Sequence, residues 1–331
     1  MKKIAIIGGG SWGSALAMVL ADNGNDVTMY MRNSENASEI NEYHANSRYL
    51  KDITLNSEII ATTNIADISE CEIVVFAVPT QNIRTILTEN SGVFNNQALF
   101  VNVAKGIEIG TNKRISEIFG EFFDVNRFVA LSGPTHAEEV AIKMPTAIVA
   151  ASLSNSAMST VQDVFMNRDF RVYTNEDIIG VELGGATKNI LALGLGIADG
   201  LGFGDNTKAA IMTRGMHEIA RLGIALGGRP ETFYGLTGMG DLIVTSTSMH
   251  SRNRRAGILI GQGHSIEETE KKVNMVVEGI KTCKAVKSLI EENDVEMPIT
   301  EEIYNILFND YSISDSVERL MERNKKREVL Y

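Results

Sequence analysis

Positive charge is in deficit: 31 Lys and Arg stand against 42 Asp and Glu, a formal net charge of -11 at pH 7. Such a balance excludes a general nucleic-acid or anionic-membrane partner, while leaving room for a local basic pocket that takes a small anion. Cysteine is nearly missing. Cys71 and Cys283 lie far apart and form no metal-ligand pattern, so no metal site is expected and the usage suits a reducing cytosol. No stretch of about 18 uninterrupted apolar residues suggests a membrane span. The apolar run at the start, Ile4 to Ile7, is too short for a signal peptide. These absences together predict a soluble cytoplasmic protein, and no internal repeat or low-complexity linker divides it.

What is there is an ordinary globular composition, 44% hydrophobic and 22% charged. A length of 331 residues exceeds the usual size of one core, which predicts two domains. The first half alternates strands and helices. Apolar strands are expected at Ile4 to Ile7, Val27 to Met31, Ile59 to Thr62, Ile73 to Val78, Leu99 to Val103, Phe128 to Leu131, Ala147 to Ala151 and Phe170 to Tyr173. Helical segments near Ala15 to Ala21, Thr80 to Leu87, Lys113 to Phe119 and Ser156 to Phe165 separate several of them. This order predicts an open, largely parallel, Rossmann-like sheet with ligands at the carboxyl ends of its strands. From Asn175 onward helical periodicity replaces strands. The expected division is therefore a dinucleotide-binding domain over 1–177 and a mainly α-helical substrate domain over 178–331.

The nucleotide reading rests on Gly8-Gly9-Gly10-Ser11-Trp12-Gly13, which follows the first strand and opens the first helix. Gly8, Gly10 and Gly13 match G-x-G-x-x-G: one allows the tight turn, one lets backbone approach a pyrophosphate, and one permits close helix packing. The helix N-terminus adds amide donors and a positive dipole end. At the end of the second strand an NAD site usually places a carboxylate for the ribose diol. Here the chain reads Tyr30-Met31-Arg32-Asn33, without one. Arg32 suits a 2′-phosphate, so NADP(H) is the preferred cofactor and NAD(H) is left open. Other strand ends carry Lys105, in Val103-Ala104-Lys105-Gly106, and a turn from Ser132 to Glu139. His136 in that turn is not expected to be a general base, since a helix N-terminus disfavours its charged form.

Two stretches of the second half break the rules of ordinary packing. From Ile178 to Ile197 apolar residues occupy nearly every face, as in a helix buried all round, yet Lys188 sits among them. Gly184 and Gly185 precede it on the same face, which implies close approach by another backbone or a ligand. The stretch alone leaves two readings open: a site, or a lysine that snorkels from a packed helix to solvent. Further on, Gly235-Leu-Thr-Gly-Met-Gly-Asp241 frees the backbone to place Asp241 in a cavity, and Ser251-Arg252-Asn253 offers donors suited to phosphate. Arg254 and Arg255 read instead as a solvated helix face.

The ensemble resembles the bacterial NAD(P)-dependent glycerol-3-phosphate dehydrogenases. The resemblance is carried by Gly8 to Gly13, Asn46-Ser-Arg-Tyr-Leu50, Ala104-Lys-Gly106, Gly133-Pro-Thr-His-Ala-Glu-Glu139, Glu182 to Asn189, Asn206-Thr-Lys-Ala-Ala210 and Gly238-Met-Gly-Asp241 through Ser251-Arg-Asn-Arg254. It spans almost the whole chain. Two positions depart from the pattern: Thr187, where a larger apolar residue is expected, and Ser246, where cysteine is common. The resemblance implies reversible reduction of dihydroxyacetone phosphate to sn-glycerol 3-phosphate, feeding phospholipid synthesis, with a homodimer as a family-level expectation. It implies Lys188 as acid and base, with Lys105 acting from the cofactor-domain side and Asp241 fixing Lys188 or a substrate hydroxyl. Gly133, Thr135, Asn189, Ser251, Arg252 and Asn253 join Lys105, Lys188 and Asp241 around the substrate. Ser11, Trp12, Arg32, Lys105, Ala137, Arg252, Val276 and Glu278 are placed near the cofactor. Two other readings remain beside it: a two-domain dehydrogenase of a hydroxyacid or sugar acid, and a non-catalytic sensor of the NADPH pool.

Overall fold

The structure is a computed structural model that describes residues 1–325, 327 and 328. The chain forms two compact units. The first comprises Met1–Ala104 and Ile115–Ile178, and the second comprises Lys105–Arg114 with the remainder from Ile179. The segment 105–114, expected in the nucleotide domain, thus belongs to the second unit. Its Ile107 side chain is fully buried in that unit's core, which is the physical reason for the reassignment.

The first unit runs β1 (Lys3–Ile7), α1 (Ser11–Asp22), β2 (Asp26–Tyr30), α2 (Ser34–Tyr43), β3 (Ala45–Asn46), β4 (Leu50–Thr54), β5 (Ile60–Thr62), β6 (Ile73–Phe76), α3 (Ile83–Asn90), β7 (Leu99–Asn102) and α4 (Ile115–Gly120). It continues with β8 (Phe128–Ser132), α5 (Ala137–Ala141), β9 (Thr146–Ala151), α6 (Asn155–Phe165) and β10 (Phe170–Asn175). Eight strands form one sheet in the order β10-β9-β8-β7-β6-β1-β2-β5, parallel throughout except at β8 and β9. Helix α2 and the β3–β4 hairpin are additions to the expected elements. The sheet is covered on both faces, so its central strands are continuous apolar runs. Alternation splits them: Ile73 and Val75 of β6 join an aliphatic core with α1, α5 and α6. Phe76 faces the other way, 4.9 Å from the ring of Phe119, where Phe100 also stacks on Phe123 at 4.4 Å.

Strand β1 lies between β2 and β6, and Ile7 pairs with Tyr30 on one side and Phe76 on the other. The chain leaves β1 toward β2 and leaves β6 toward β7, in opposite directions. Between their carboxyl ends lies the crevice at which open parallel sheets bind ligands.

The second unit is helical: α7 (Ile178–Gly200), α8 (Asp205–Ala225), α9 (Pro230–Phe233), α10 (Asp241–Thr247), α11 (Arg252–Gly261), α12 (Ile266–Val273), α13 (Glu278–Asn293), α14 (Pro298–Phe308) and α15 (Ile313–Met321). Helix α7 is long and apolar enough to cross a membrane, but 94% of its most apolar window is buried within the protein. It is the axis of the second core. Helix α11 crosses it backbone to backbone: a Cβ on Gly196 would lie 2.9 Å from the Cα of Gly257, so neither position tolerates a side chain. That crossing sets Asn253 against Asn189.

Candidate active site

The glycine turn of the first unit begins at the carboxyl end of β1. Gly8 has φ +125°, a conformation that side chains rarely adopt, and its amide donates to Tyr30 O at 2.9 Å. A Cβ on Gly13 would penetrate Gly8 O, so the close approach of α1 to the turn also requires glycine. Around Gly10, by contrast, nothing lies within 4 Å of a would-be Cβ. Gly10 is the N-cap of α1 in an extended conformation, and no side chain caps the first turn formed by Ser11, Trp12 and Gly13. Open space above an uncapped helix N-terminus fits a dinucleotide pyrophosphate. Asn46, to which sequence reasoning gave no role, donates from Nδ2 to Gly9 O at 3.0 Å and to Ser14 Oγ at 2.8 Å, buttressing the turn from the β3–β4 hairpin. Arg32 follows β2 and is exposed, while Asn33 caps α2. Ala137 opens α5 and is buried, and Thr135 Oγ1 donates to Gly133 O at 3.2 Å in the turn before it. His136 is the N-cap residue of α5.

In the second unit Lys188, 4% exposed, does not snorkel out. Its Nζ donates to Asp241 Oδ1 at 2.9 Å and to Thr245 Oγ1 at 2.5 Å. Asp241, 1% exposed, accepts from Lys105 Nζ on its other oxygen at 2.6 Å. Two ammonium groups therefore share one buried carboxylate. Thr245, one turn after Asp241 in α10 and also bonded to it at 3.2 Å, is a partner that the sequence reading passed over, although its i+4 spacing from Asp241 was visible. Burial pushes the Lys188 ammonium down to about 8, Asp241 resists this, and the Lys105 and Arg252 charges add to it. For Asp241 burial acts upward, but Lys105 and Lys188 together outweigh it and hold the carboxyl below its ordinary value. With both lysines protonated the net charge of the cluster is +1, and Lys188 holds its proton less tightly than an ordinary lysine.

The local backbone explains how Asp241 arrives there. A π-helical turn, Leu236–Gly240, leads into α10. Its flanking glycines do not serve left-handed geometry: Gly235 and Gly240 have φ of -87° and -61°. Their neighbour Gly238 is instead pressed on Phe233 O, where a Cβ would penetrate, and a Cβ on Gly184 would sit 3.3 Å from Thr237 O. At Gly184 the approaching partner is a second backbone.

The predicted phosphate donors are mutually bonded. Asn189 Nδ2 donates to Lys105 O at 3.1 Å, Asn253 Nδ2 donates to Asn189 Oδ1 at 2.9 Å, and Gly279 N donates to Asn253 Oδ1 at 2.9 Å. Ser251 caps α11 by accepting from Arg254 N at 3.2 Å. Arg252 Nη1 donates to Val276 O at 3.4 Å, just before Glu278 begins α13. Arg254 is not a solvated face: its guanidinium is paired with Asp199 at 2.7 Å and is mostly covered. Thr187 bonds back to Leu183 O at 2.6 Å, which satisfies its hydroxyl inside α7. Ser246 Oγ is buried without a hydrogen-bond partner among the described residues, surroundings that a thiol would occupy at lower cost.

A Rossmann-like sheet with an open glycine turn, in one chain with a helical unit holding a buried lysine whose pKa is lowered, defines the class of two-unit nicotinamide-dependent dehydrogenases. The family model described as NAD-dependent glycerol-3-phosphate dehydrogenase N-terminus matches residues 3–158, and its C-terminus counterpart matches residues 177–318. The chain is 51% identical to a glycerol-3-phosphate dehydrogenase [NAD(P)+] of Clostridium perfringens, over 100% of both chains. It is 53% identical to a protein of the same name from Bacillus cereus, over 99% of this chain and 98% of the relative. A crystal structure of glycerol-3-phosphate dehydrogenase from Coxiella burnetii superposes with a TM-score of 0.92 at 34% identity, covering 97% of this chain and 99% of that one. The chain belongs to the NAD-dependent glycerol-3-phosphate dehydrogenase family.

Proposed function

We propose that the protein reduces dihydroxyacetone phosphate to sn-glycerol 3-phosphate with NADPH as the preferred donor and NADH as an alternative, and that Lys188 is its general acid and base. The observation that carries this reading is the buried Lys188, held between Asp241 and Thr245 with its ammonium tuned to about 8. A reduced nicotinamide supplies a hydride to the ketone carbon. As that bond forms, the carbonyl electron pair moves to oxygen, and the Lys188 ammonium donates its proton there, leaving a neutral amine for the reverse reaction. General acid catalysis of this kind contributes about 10² to 10⁴ in rate. Lys105 stabilises the developing oxyanion, a charge that a preorganised ammonium in a covered site meets without solvent reorganisation. Asp241 orients both lysines and keeps Lys188 from losing its proton too early.

For the substrate phosphate the reading rests on Arg252 at the N-terminus of α11, where a guanidinium stands at the positive end of a helix dipole. Asn189 and Asn253 shape that place through their mutual bond, with Ser251 at the cap; Gly133 and Thr135 are assigned to the substrate by likeness to the family. The cofactor is assigned, by likeness to the family, to Gly8, Gly10, Ser11, Trp12, Gly13, Arg32, Lys105, Ala137, Arg252, Val276 and Glu278. A cytoplasmic role supplying phospholipid synthesis goes with this assignment.

The test is the fall in reduced-nicotinamide absorbance when purified protein meets dihydroxyacetone phosphate, with NADPH and NADH side by side and Lys188→Ala in parallel. Turnover by the native chain, lost in Lys188→Ala while NADPH still binds, is the expected result. An unchanged rate in Lys188→Ala sinks the acid assignment, and failure of the native chain to oxidise either cofactor sinks the substrate.

A further inference from the structure

Glu182 opens the stretch of α7 that ends at Asn189. Its side chain is 5% exposed, and its Oε2 accepts from Arg114 Nη1 at 2.8 Å, with the arginine side chain 16% exposed. Arg114 is the last residue of the 105–114 segment and Lys105 is the first. Glu182 and Asn189 are seven residues apart, two helical turns, so both lie on one face of α7 about 10 Å from each other. Asn189 holds the front of the segment through Lys105 O, and Glu182 holds its rear.

The segment between the two grips is internally tied, so a hold on one end fixes the other. Glu108 N donates to Lys113 O at 3.0 Å, Asn112 N donates to Glu108 O at 3.1 Å, and Asn112 Nδ2 donates to Glu292 Oε1 at 2.9 Å. Ile107 is anchored in the helical core. We propose that the largely covered Arg114 and Glu182 pair is a positioning clamp for Lys105: with Asn189 it lays the segment along α7 so that the Lys105 ammonium reaches Asp241. A buried charge pair is a costly way to gain stability alone, since well-packed apolar residues do as well or better. It does specify a single geometry, which is what a lysine 2.6 Å from a catalytic carboxylate requires.

The catalytic half of this inference rests on the function proposed above, and the positional half does not. The variant is Glu182→Gln, which keeps volume and an acceptor oxygen but removes the charge. The first readout needs no turnover: the rate at which acetic anhydride acylates Lys105, followed by peptide mass spectrometry, should rise several-fold as the side chain leaves Asp241. The second is kinetic. A displaced Lys105 no longer lowers the Lys188 pKa from beside it, while Asp241 and Arg252 still face that ammonium. The alkaline limb of the reduction rate should therefore move to higher pH, with kcat down about tenfold to a hundredfold. Arg319→Met, which breaks the Arg319 and Glu302 pair of the same unit, is the control for simple destabilisation and should alter neither readout. Should Glu182→Gln not fold, Arg114→Lys takes its place, retaining charge but losing the planar fork, with the same shifts expected. Native acylation at Lys105 in these variants overturns the clamp. Faster acylation with an unmoved alkaline limb overturns its catalytic part, and loss of turnover in the native chain would instead indict the substrate assignment.

Discussion

Asp241→Asn separates the electrostatic role of the carboxylate from its shape. In the native site one buried carboxylate lies 2.9 Å from Lys188 and 2.6 Å from Lys105. At 2.9 Å and an effective dielectric near 20, the attraction to Lys188 is about 6 kcal/mol. Even if relaxation and water recover about three-quarters of it, the remainder exceeds the ~1.4 kcal/mol of one pKa unit. Asparagine keeps an oxygen for one lysine but presents an amide to the other, and the like charge of Lys105 then acts unopposed. The Lys188 ammonium, already down at about 8 through burial, should fall by a unit or more. With Lys188 as the proposed acid, reduction needs the protonated lysine and its rate should be lost as pH rises through that value. The alkaline limb of kcat for dihydroxyacetone phosphate reduction should therefore move from near 8 to about 7 or below, and the variant should speed up on acidification where the native enzyme is flat. Removing one member of a buried charge pair also costs on the order of 3–5 kcal/mol, so urea unfolding should register the substitution as well. A limb that stays near 8, or moves upward, would refute the idea that Asp241 is what keeps Lys188 charged.

Gly13→Ala would drive a methyl into Gly8 O, so NADPH binding by fluorescence should be lost or severely weakened; native affinity would mean that α1 can shift to make room. Arg32→Ala should weaken NADPH more than NADH, and equal effects on the two would remove the 2′-phosphate argument. Glu218, buried in α8, accepts Ile299 N at 2.8 Å and both Thr300 N and Thr300 Oγ1 at 3.0 Å at the start of α14. Burial nevertheless pushes its carboxyl from 4.5 up to about 7. Between those values the folded state holds the proton more tightly than the unfolded chain, so stability falls as pH rises through the window, by on the order of 3 kcal/mol in total. Glu218→Gln should flatten the dependence of Tm on pH between 5 and 7; an unchanged slope would show that another group titrates there.

The alternation of apolar strands with helices was readable because a sheet buried on both faces leaves unbroken apolar runs, and the glycine turn because tight backbone geometry admits only glycine. Lys188 stood out for the same kind of reason, a charge where every neighbour is apolar. Helix α2 and the β3–β4 hairpin escaped notice, being half exposed and held by scattered contacts such as Asn46 to Gly9 rather than by a periodic face. Other facts are properties of three-dimensional neighbours alone. That Lys105 belongs with the helical unit depends on Asn189 and Glu182 meeting its segment across 84 and 68 residues of chain, and on Ile107 of that segment reaching the helical core. That Arg254 is paired and covered depends on Asp199, 55 residues away. The balance at Lys188, burial against Asp241 and beside Lys105, required all three positions at once. Local sequence determined which residues were out of place in an ordinary core; long-range packing decided which of them meet, because burial and charge pairing are set by distances that no local pattern encodes.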